Sequence, residues 1–277
     1  MGHKNHSIKR FFTSWFGLGL VVGAATVGTG LALTDGVDLY YKNKETGLTM
    51  LVDYAHMKKG DHKVVISGQF YDFLTYETPK EDQALAINGI KKACETLNEY
   101  TTNLNFDLCT TVDGLEEYGI RKIDSYSNKY DIPLYLTTET LGDNKYVLAS
   151  TDWDIDHFTR ELKNENITYK RDALFTVWQE YDTLEETLAP KNSFAYYITA
   201  HELMHAMGFA HVKEKDSIMY PYISLTSPKD LTEKDIQNLT TYCTTFYGAE
   251  KTSSPKQSSN KKDAPAKMLS FYDENTL

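Results

Sequence analysis

The chain reads as an α+β domain of about five strands and three helices, flanked at both ends by segments of different character. Three observations predict this. Apolar residues alternate through Asn103–Thr111 at Leu104, Phe106 and Leu108, the period of a half-buried strand. After Pro79, the stretch Glu81–Tyr100 places Leu85, Ile87, Ile90, Ala93 and Leu97 at near-helical spacing, as in an amphipathic helix lying on a sheet. Phe194–Met207 and Leu231–Phe246 read as two further helices, and the second opens with Thr232 and Asp235 three residues on, a capping-box pattern.

The other elements follow in order. Lys63–Leu74, with Val64, Val65, Ile66, Phe70 and Phe73, reads as the first strand. Ile132–Thr138, Lys145–Ser150 and Ala173–Tyr181 read as the third, fourth and fifth. Residues 34–61 are polar and mixed, an arm or linker, so the domain spans 62–248. Residues 249–277 are Ser, Lys, Pro, Asn and Gln with few apolar positions, the composition of a disordered tail.

Composition narrows the class. With 41% hydrophobic and 13% aromatic residues in 277, the chain can bury a core, which excludes wholesale disorder. Lys+Arg number 29 against 39 Asp+Glu, a net charge of -10, which argues against a nucleic-acid partner. Cys94, Cys109 and Cys243 are too few for a disulfide framework; one bridge or three buried thiols both fit. At the amino end, Lys4, Lys9 and Arg10 precede the uncharged run Phe11–Leu33, with Asp35 and Asp38 behind it. Those 23 residues are enough for a helix to cross a hydrocarbon layer of about 30 Å. Residues 1–33 are therefore a cleaved signal peptide, for which Gly30 and Ala32 would serve, or an uncleaved membrane anchor. Either way the charge asymmetry places the body outside the cytoplasm, secreted or membrane-anchored.

The chemistry concentrates in His201-Glu202-Leu203-Met204-His205-Ala206-Met207-Gly208-Phe209-Ala210-His211. On a helix, His201 and His205 project from one face and can share a metal ion. Glu202 sits where it can reach water beside that metal. Gly208 falls where the helix must reverse, and the reversal would return His211 as a third ligand. Three neutral nitrogens leave one tetrahedral position open, the arrangement of a catalytic zinc. Five fixed positions at about one in twenty each match by chance in roughly one such chain in ten thousand. Ordinary helix histidines are a poor account of them.

With Gly208 and His211 in place, the segment resembles the extended zinc motif of the metzincin metalloendopeptidases. The methionine-containing turn Asp216-Ser217-Ile218-Met219-Tyr220-Pro221 follows, with Met219 eight residues after His211. Its Met-Tyr-Pro wording resembles the matrixin branch, in a bacterial-type, extracytoplasmic form. Ala84–Cys94 with Asn103-Leu104-Asn105-Phe106, and Leu231–Ile236 running to Tyr247-Gly248, extend the likeness over most of 63–248. The resemblance implies a zincin-like fold, a twisted mixed sheet with an active-site helix and a C-terminal helix. It implies one catalytic zinc on His201, His205 and His211, Glu202 as general base, and Met219 as the floor beneath the metal. Two positions depart from the pattern. Ile223 stands four residues after Met219, where matrixins place a pocket-wall tyrosine. Pro221 stands two after it, where astacins and serralysins carry a metal-reaching tyrosine. There is no Pro-Arg-Cys-Gly cysteine switch.

The expected activity is zinc-dependent endopeptidase cleavage of extracellular or cell-surface proteins. An extended substrate is expected along an edge strand at Tyr146, Val147, Leu148, Ala149 and Ser150, with Tyr220, Pro221 and Tyr222 lining the pocket. The competing readings are a surface-displayed binding protein or adhesin that keeps the metzincin shell without turnover, and a non-peptidase zinc hydrolase. Asp152, Asp154 and Asp156 with His157 form an acidic patch, to be read as a calcium or zinc site or as a solvated loop. His56 and His62 are expected at the surface. The partners implied are protein or peptide substrates, and a membrane if the N-terminal segment is retained.

Overall fold

In the computed structural model, the described residues are 30–33, 39–51, 55–127, 129–139, 141, 147–156, 158–175, 190–223 and 230–248. The strands are β1 (Gly30–Leu33), β2 (Leu39–Lys42), β3 (Thr49–Met50), β4 (His56–Met57), β5 (Gly60–Ile66), β6 (Leu104–Thr110), β7 (Arg121–Lys122), β8 (Ile132–Thr137), β9 (Ala149–Asp156) and β10 (Glu161–Lys170). The helices are α1 (Gly68–Glu77), α2 (Lys80–Tyr100), α3 (Arg171–Leu174), α4 (Phe194–Met207) and α5 (Glu233–Tyr247). The mixture of one main sheet and helices is compatible with the expected metzincin-type α+β class.

The main sheet is mixed. β5 lies in parallel between β6 and β8, and β10 runs parallel to β8. β9 turns back antiparallel along β10 from Asp156 to Ala149. The short strands β7 and β4 extend the sheet beside β6 and beside the start of β10. Strand β5 shows why it is central. Val64 and Ile66 enter the large core under the helices, whereas Val65 joins Cys109 and Ile123 on the other face, the two-residue alternation of a strand covered on both sides.

Helices α2 and α4 pack over one face. Gly89 of α2 makes this approach possible, because a Cβ there would stand 2.5 Å from Ser193 Oγ and 2.9 Å from Tyr196 N. Helix α5 closes the core from the side. Its buried Tyr242 donates a hydrogen bond to Met207 O at 2.7 Å and accepts one from Met57 N at 2.9 Å. Burial raises the pKa of this hydroxyl well above its ordinary value, so it stays a donor.

Several expected elements need correction. The first strand stops at Ile66, because Ser67 caps a helix by accepting from Phe70 N at 3.2 Å. Phe70 and Leu74 then share the buried face of α1, four residues apart. The fourth strand is β9, which overlaps the expected Lys145–Ser150 only at Ala149 and Ser150. The expected fifth strand, Ala173–Tyr181, begins in α3 and continues outside the described residues. The strand that fills its place is β10, Glu161–Lys170. Its pattern is polar apart from Leu162, Ile167 and Tyr169, and it is broken by a bulge between Asn164 and Asn166, which hides it from a period-two reading.

Residues 34–61 are more than a linker where they are described. Leu48, Met50, Leu51, Ala55 and Met57 are buried, and β1, β2 and β3 form a small antiparallel sheet. Gly30–Leu33, the end of the apolar N-terminal run, is strand β1; residues 1–29 and 249–277 lie outside the described residues. Among the described residues no helix is long and apolar enough to cross a membrane. His62 is buried rather than at the surface, its ring nitrogens 2.8 Å from Tyr130 O and 2.7 Å from Lys58 O. His56 stacks on Phe246 at 4.5 Å. Cys94, Cys109 and Cys243 are free and buried, and burial pushes the Cys109 thiol up to about 12. Such thiols are inert at neutral pH.

Replacing Tyr242 with Phe removes one donor and one acceptor from a buried site. The unfolding free energy should fall by about 1–3 kcal/mol, read as a lower urea midpoint at unchanged slope.

Candidate active site

Helix α4 carries the site. It begins at Ser193, whose hydroxyl accepts from Tyr196 N at 3.2 Å, and is buried from Ala195 to Met207. A helix apolar on every side belongs inside a core. It ends at Gly208, at φ 102° and ψ 5°, where Gly208 N donates to His205 O and Phe209 N to Met204 O. Only glycine fits there: besides the positive φ, a Cβ would lie 2.3 Å from Ala55 O. Beyond the reversal the chain is held by β3. Met50 bridges Phe209, Leu51 N donates to Gly208 O, and Ala210 N donates to Thr49 O. That pairing delivers His211 to the face of α4.

The three imidazoles converge. Their Nε2 atoms are 3.1 Å apart for His201 and His205, 3.2 Å for His201 and His211, and 3.0 Å for His205 and His211. His201 Nδ1 lies 2.6 Å from Ile218 O, and His205 Nδ1 lies 2.8 Å from Phe209 O. A carbonyl oxygen only accepts, so both Nδ1 atoms carry the proton and both Nε2 atoms turn lone pairs towards the common centre. Burial, and then the neighbouring His205 and His211, hold His201 well below the ordinary histidine range, which keeps it neutral. Facing lone pairs repel unless a cation lies among them. Nitrogens 2.0–2.1 Å from a tetrahedral zinc lie roughly 3.3–3.4 Å apart, so the triangle fits such an ion to within a few tenths of an ångström. Among the described residues, this triad is the group of His, Cys, Asp or Glu side chains placed to hold a metal.

Glu202 follows the first ligand on α4 and is buried. Its Oε2 accepts from Thr151 Oγ1 of β9 at 2.6 Å, and Thr151 Oγ1 is also 3.0 Å from Glu202 O. Below the triad, Ile218 O accepts from Tyr197 Oη at 3.2 Å as well as from His201, and the Tyr197 and His201 rings stack at 6.4 Å. Burial raises the Tyr197 hydroxyl pKa, so it remains a donor. Met219 is buried, and its carbonyl accepts from Val212 N at 3.0 Å, next to His211.

The turn that presents Ile218 and Met219 is fastened from α5. Asp235, fully buried, accepts from Ser217 Oγ at 2.6 Å through Oδ1. Through Oδ2 it accepts from Ile218 N at 3.1 Å, Thr232 N at 3.0 Å and Thr232 Oγ1 at 2.8 Å. The capping box at Thr232 and Asp235 is present, and its acid also reaches the methionine turn.

The expected site residues divide clearly. His201, His205, His211, Glu202 and Met219 come together. Val147 and Leu148 are half-buried just before β9, Leu148 O accepting from Lys170 N at 2.7 Å, and Ala149 is the first residue of β9. Tyr146 lies outside the described residues. Tyr220 is half-buried, Pro221 and Tyr222 are exposed, and the two tyrosine rings meet edge-on at 5.7 Å. The calcium alternative finds no support. Asp152 and Asp154 are exposed, Asp156 accepts from Phe158 N and Thr159 N in the β9–β10 turn, and His157 lies outside the described residues. Thr151, Tyr197 and the carbonyls of Ile218 and Phe209 escape the sequence reading. They act through backbone or cross-strand contacts that leave no local spacing signal.

Two histidines and an adjoining carboxylate on one buried helix, with a third histidine returned beyond its end, form a group that could hold a metal ion. The family model described as Matrixin, of the M10 peptidases, matches residues 185–243. That span holds all three histidines, Glu202, Met219 and Asp235, and it supports a matrixin-like metzincin and a metallopeptidase of the hydrolase class.

Replacing Asp235 with Asn turns one acceptor into a donor that faces other donors. Unfolding free energy should drop by roughly 1–3 kcal/mol, and zinc affinity by about tenfold or more, measured by urea denaturation and competitive zinc titration.

Proposed function

We propose that this chain is a zinc-dependent metalloendopeptidase that cleaves proteins outside the cytoplasm. The observation that carries the proposal is the convergence of three Nε2 atoms, with Glu202 buried on the same helix. His201, His205 and His211 would hold the ion, a donor set of neutral imidazoles suited to zinc. Zinc bound there would supply Lewis acidity, polarising the scissile carbonyl and acidifying water.

The chain's own residues do the rest. A carboxylate oxygen of Glu202 takes the proton of the attacking water and returns it to the leaving amine, which then departs neutral. The carbonyls of Ile218 and Phe209 keep His201 and His205 in the ligand tautomer throughout. Substrate lies extended along β9. Its inner edge is taken by β10, and among the described residues no strand pairs with its outer edge. A peptide adding there gains backbone hydrogen bonds while its side chains alternate. Tyr220 and Tyr222 flank the exit of the methionine turn on the substrate side. The extracytoplasmic location is supported by Lys4, Lys9 and Arg10 ahead of the apolar run.

Replacing Glu202 with Gln should lower kcat/KM on a denatured protein by about 10²–10⁴-fold while zinc stoichiometry is kept. Retained cleavage would remove it as the base. Replacing His211 with Ala should abolish stoichiometric zinc, assayed by atomic emission. Hydrolysis by the wild type should vanish with a chelator and return with zinc; a chain that binds zinc without hydrolysis would instead be the non-catalytic binding protein.

A further inference from the structure

We propose that Thr151 is the positioning residue of the general base, a role that rests on the reading of Glu202 as that base. Its hydroxyl is 2.6 Å from Glu202 Oε2 and 3.0 Å from Glu202 O. The shorter contact lies in the range of a charge-assisted hydrogen bond to a carboxylate. The last torsion of a glutamate is broad and roughly two-fold, so an untethered carboxylate turns easily about it. A donor on Oε2 selects one orientation of the carboxylate plane. The same hydroxyl's 3.0 Å approach to Glu202 O sets Thr151 against α4 at that residue.

The contact comes from a place that matters. Thr151 sits on β9 opposite Ile167 of β10, and β9 is the strand along which a substrate would pair. One residue of that strand therefore sets the base against the same backbone that registers the peptide. A base acts well only when held within about 0.5 Å and 10–20° of its productive geometry. The hydroxyl is not needed merely to seat the helix. Tyr169 of β10 already joins α4 through Thr199, with 3.2 Å between the hydroxyls, and α4 is buried along its length by apolar side chains. Thr151 is half-buried, so valine, branched at the same carbon, suits the strand.

The test compares the full-length wild type with Thr151→Val, Thr151→Ala and Thr151→Ser, all zinc-loaded. In the Val and Ala variants kcat should fall about tenfold or more, with KM within about twofold and zinc stoichiometry and melting temperature retained. The Ser variant, which keeps the hydroxyl, should recover kcat to within about threefold. In the metal-free protein, the ¹³Cδ resonance of Glu202, assigned as the signal missing from Glu202→Gln, should move in Val and Ala and stay in Ser. Unchanged kcat in Val and Ala, equal losses in Ser, or an unmoved resonance would overturn the positioning role. If the wild type itself showed no zinc-dependent cleavage, the endopeptidase reading would fail instead, and the resonance would still decide whether Thr151 orients the carboxylate.

Discussion

The structure depends on three imidazole nitrogens brought within about 3 Å of one another, those of His201 and His205 with their lone pairs inward. That arrangement sets two acceptor nitrogens, those of His201 and His205, side by side. It is held by groups behind the rings. Ile218 O and Phe209 O take the Nδ1 protons and fix both tautomer and ring direction. The three nitrogens lie close enough to bind one metal ion.

His201 and His211 are held by parts of the chain remote from the motif, whereas His205 is held within it, by Phe209 O. His201 answers to the turn at Ile218, and that turn answers to Asp235 in α5. His211 answers to the reversal at Gly208, and the reversal is paired to Met50 and Thr49 of β3. Glu202 answers to β9 through Thr151. The segment before β5 is thus part of the site's foundation, and α5 is as much a clamp on the methionine turn as a lid on the core. The three thiols stand outside this scheme, buried and free.

The ring-and-carboxylate chemistry was legible because it is local. His201, Glu202 and His205 lie on one helical turn, and a helix converts that spacing into direction without help from the rest of the fold. Gly208 was legible for the same reason, since a positive φ after a helix is a property of one residue. The capping box at Thr232 and Asp235 was equally local, but its second task was not. Nothing at positions 232–235 says that Ser217 and Ile218 will donate to the same carboxylate.

Strand boundaries were read poorly where polarity masked periodicity. β10 carries Lys163, Asn164, Glu165 and Asn166 in a row, and a bulge resets its alternation. β9 begins only at Ala149 because its register is set by β10, not by its own composition. The amino-acid sequence by itself determined the grouping of His201, Glu202 and His205 on one helix, the reversal and the three long helices, all interactions spanning a few residues. Tertiary structure alone decided which carbonyls orient the rings, which strand holds Glu202, and that residues 39–51 support the third ligand. Apart from His205 to Phe209, four residues apart, those contacts join positions 17 to 161 residues apart, and such pairings are chosen by packing and by the demand that buried polar groups be satisfied, not by local preference.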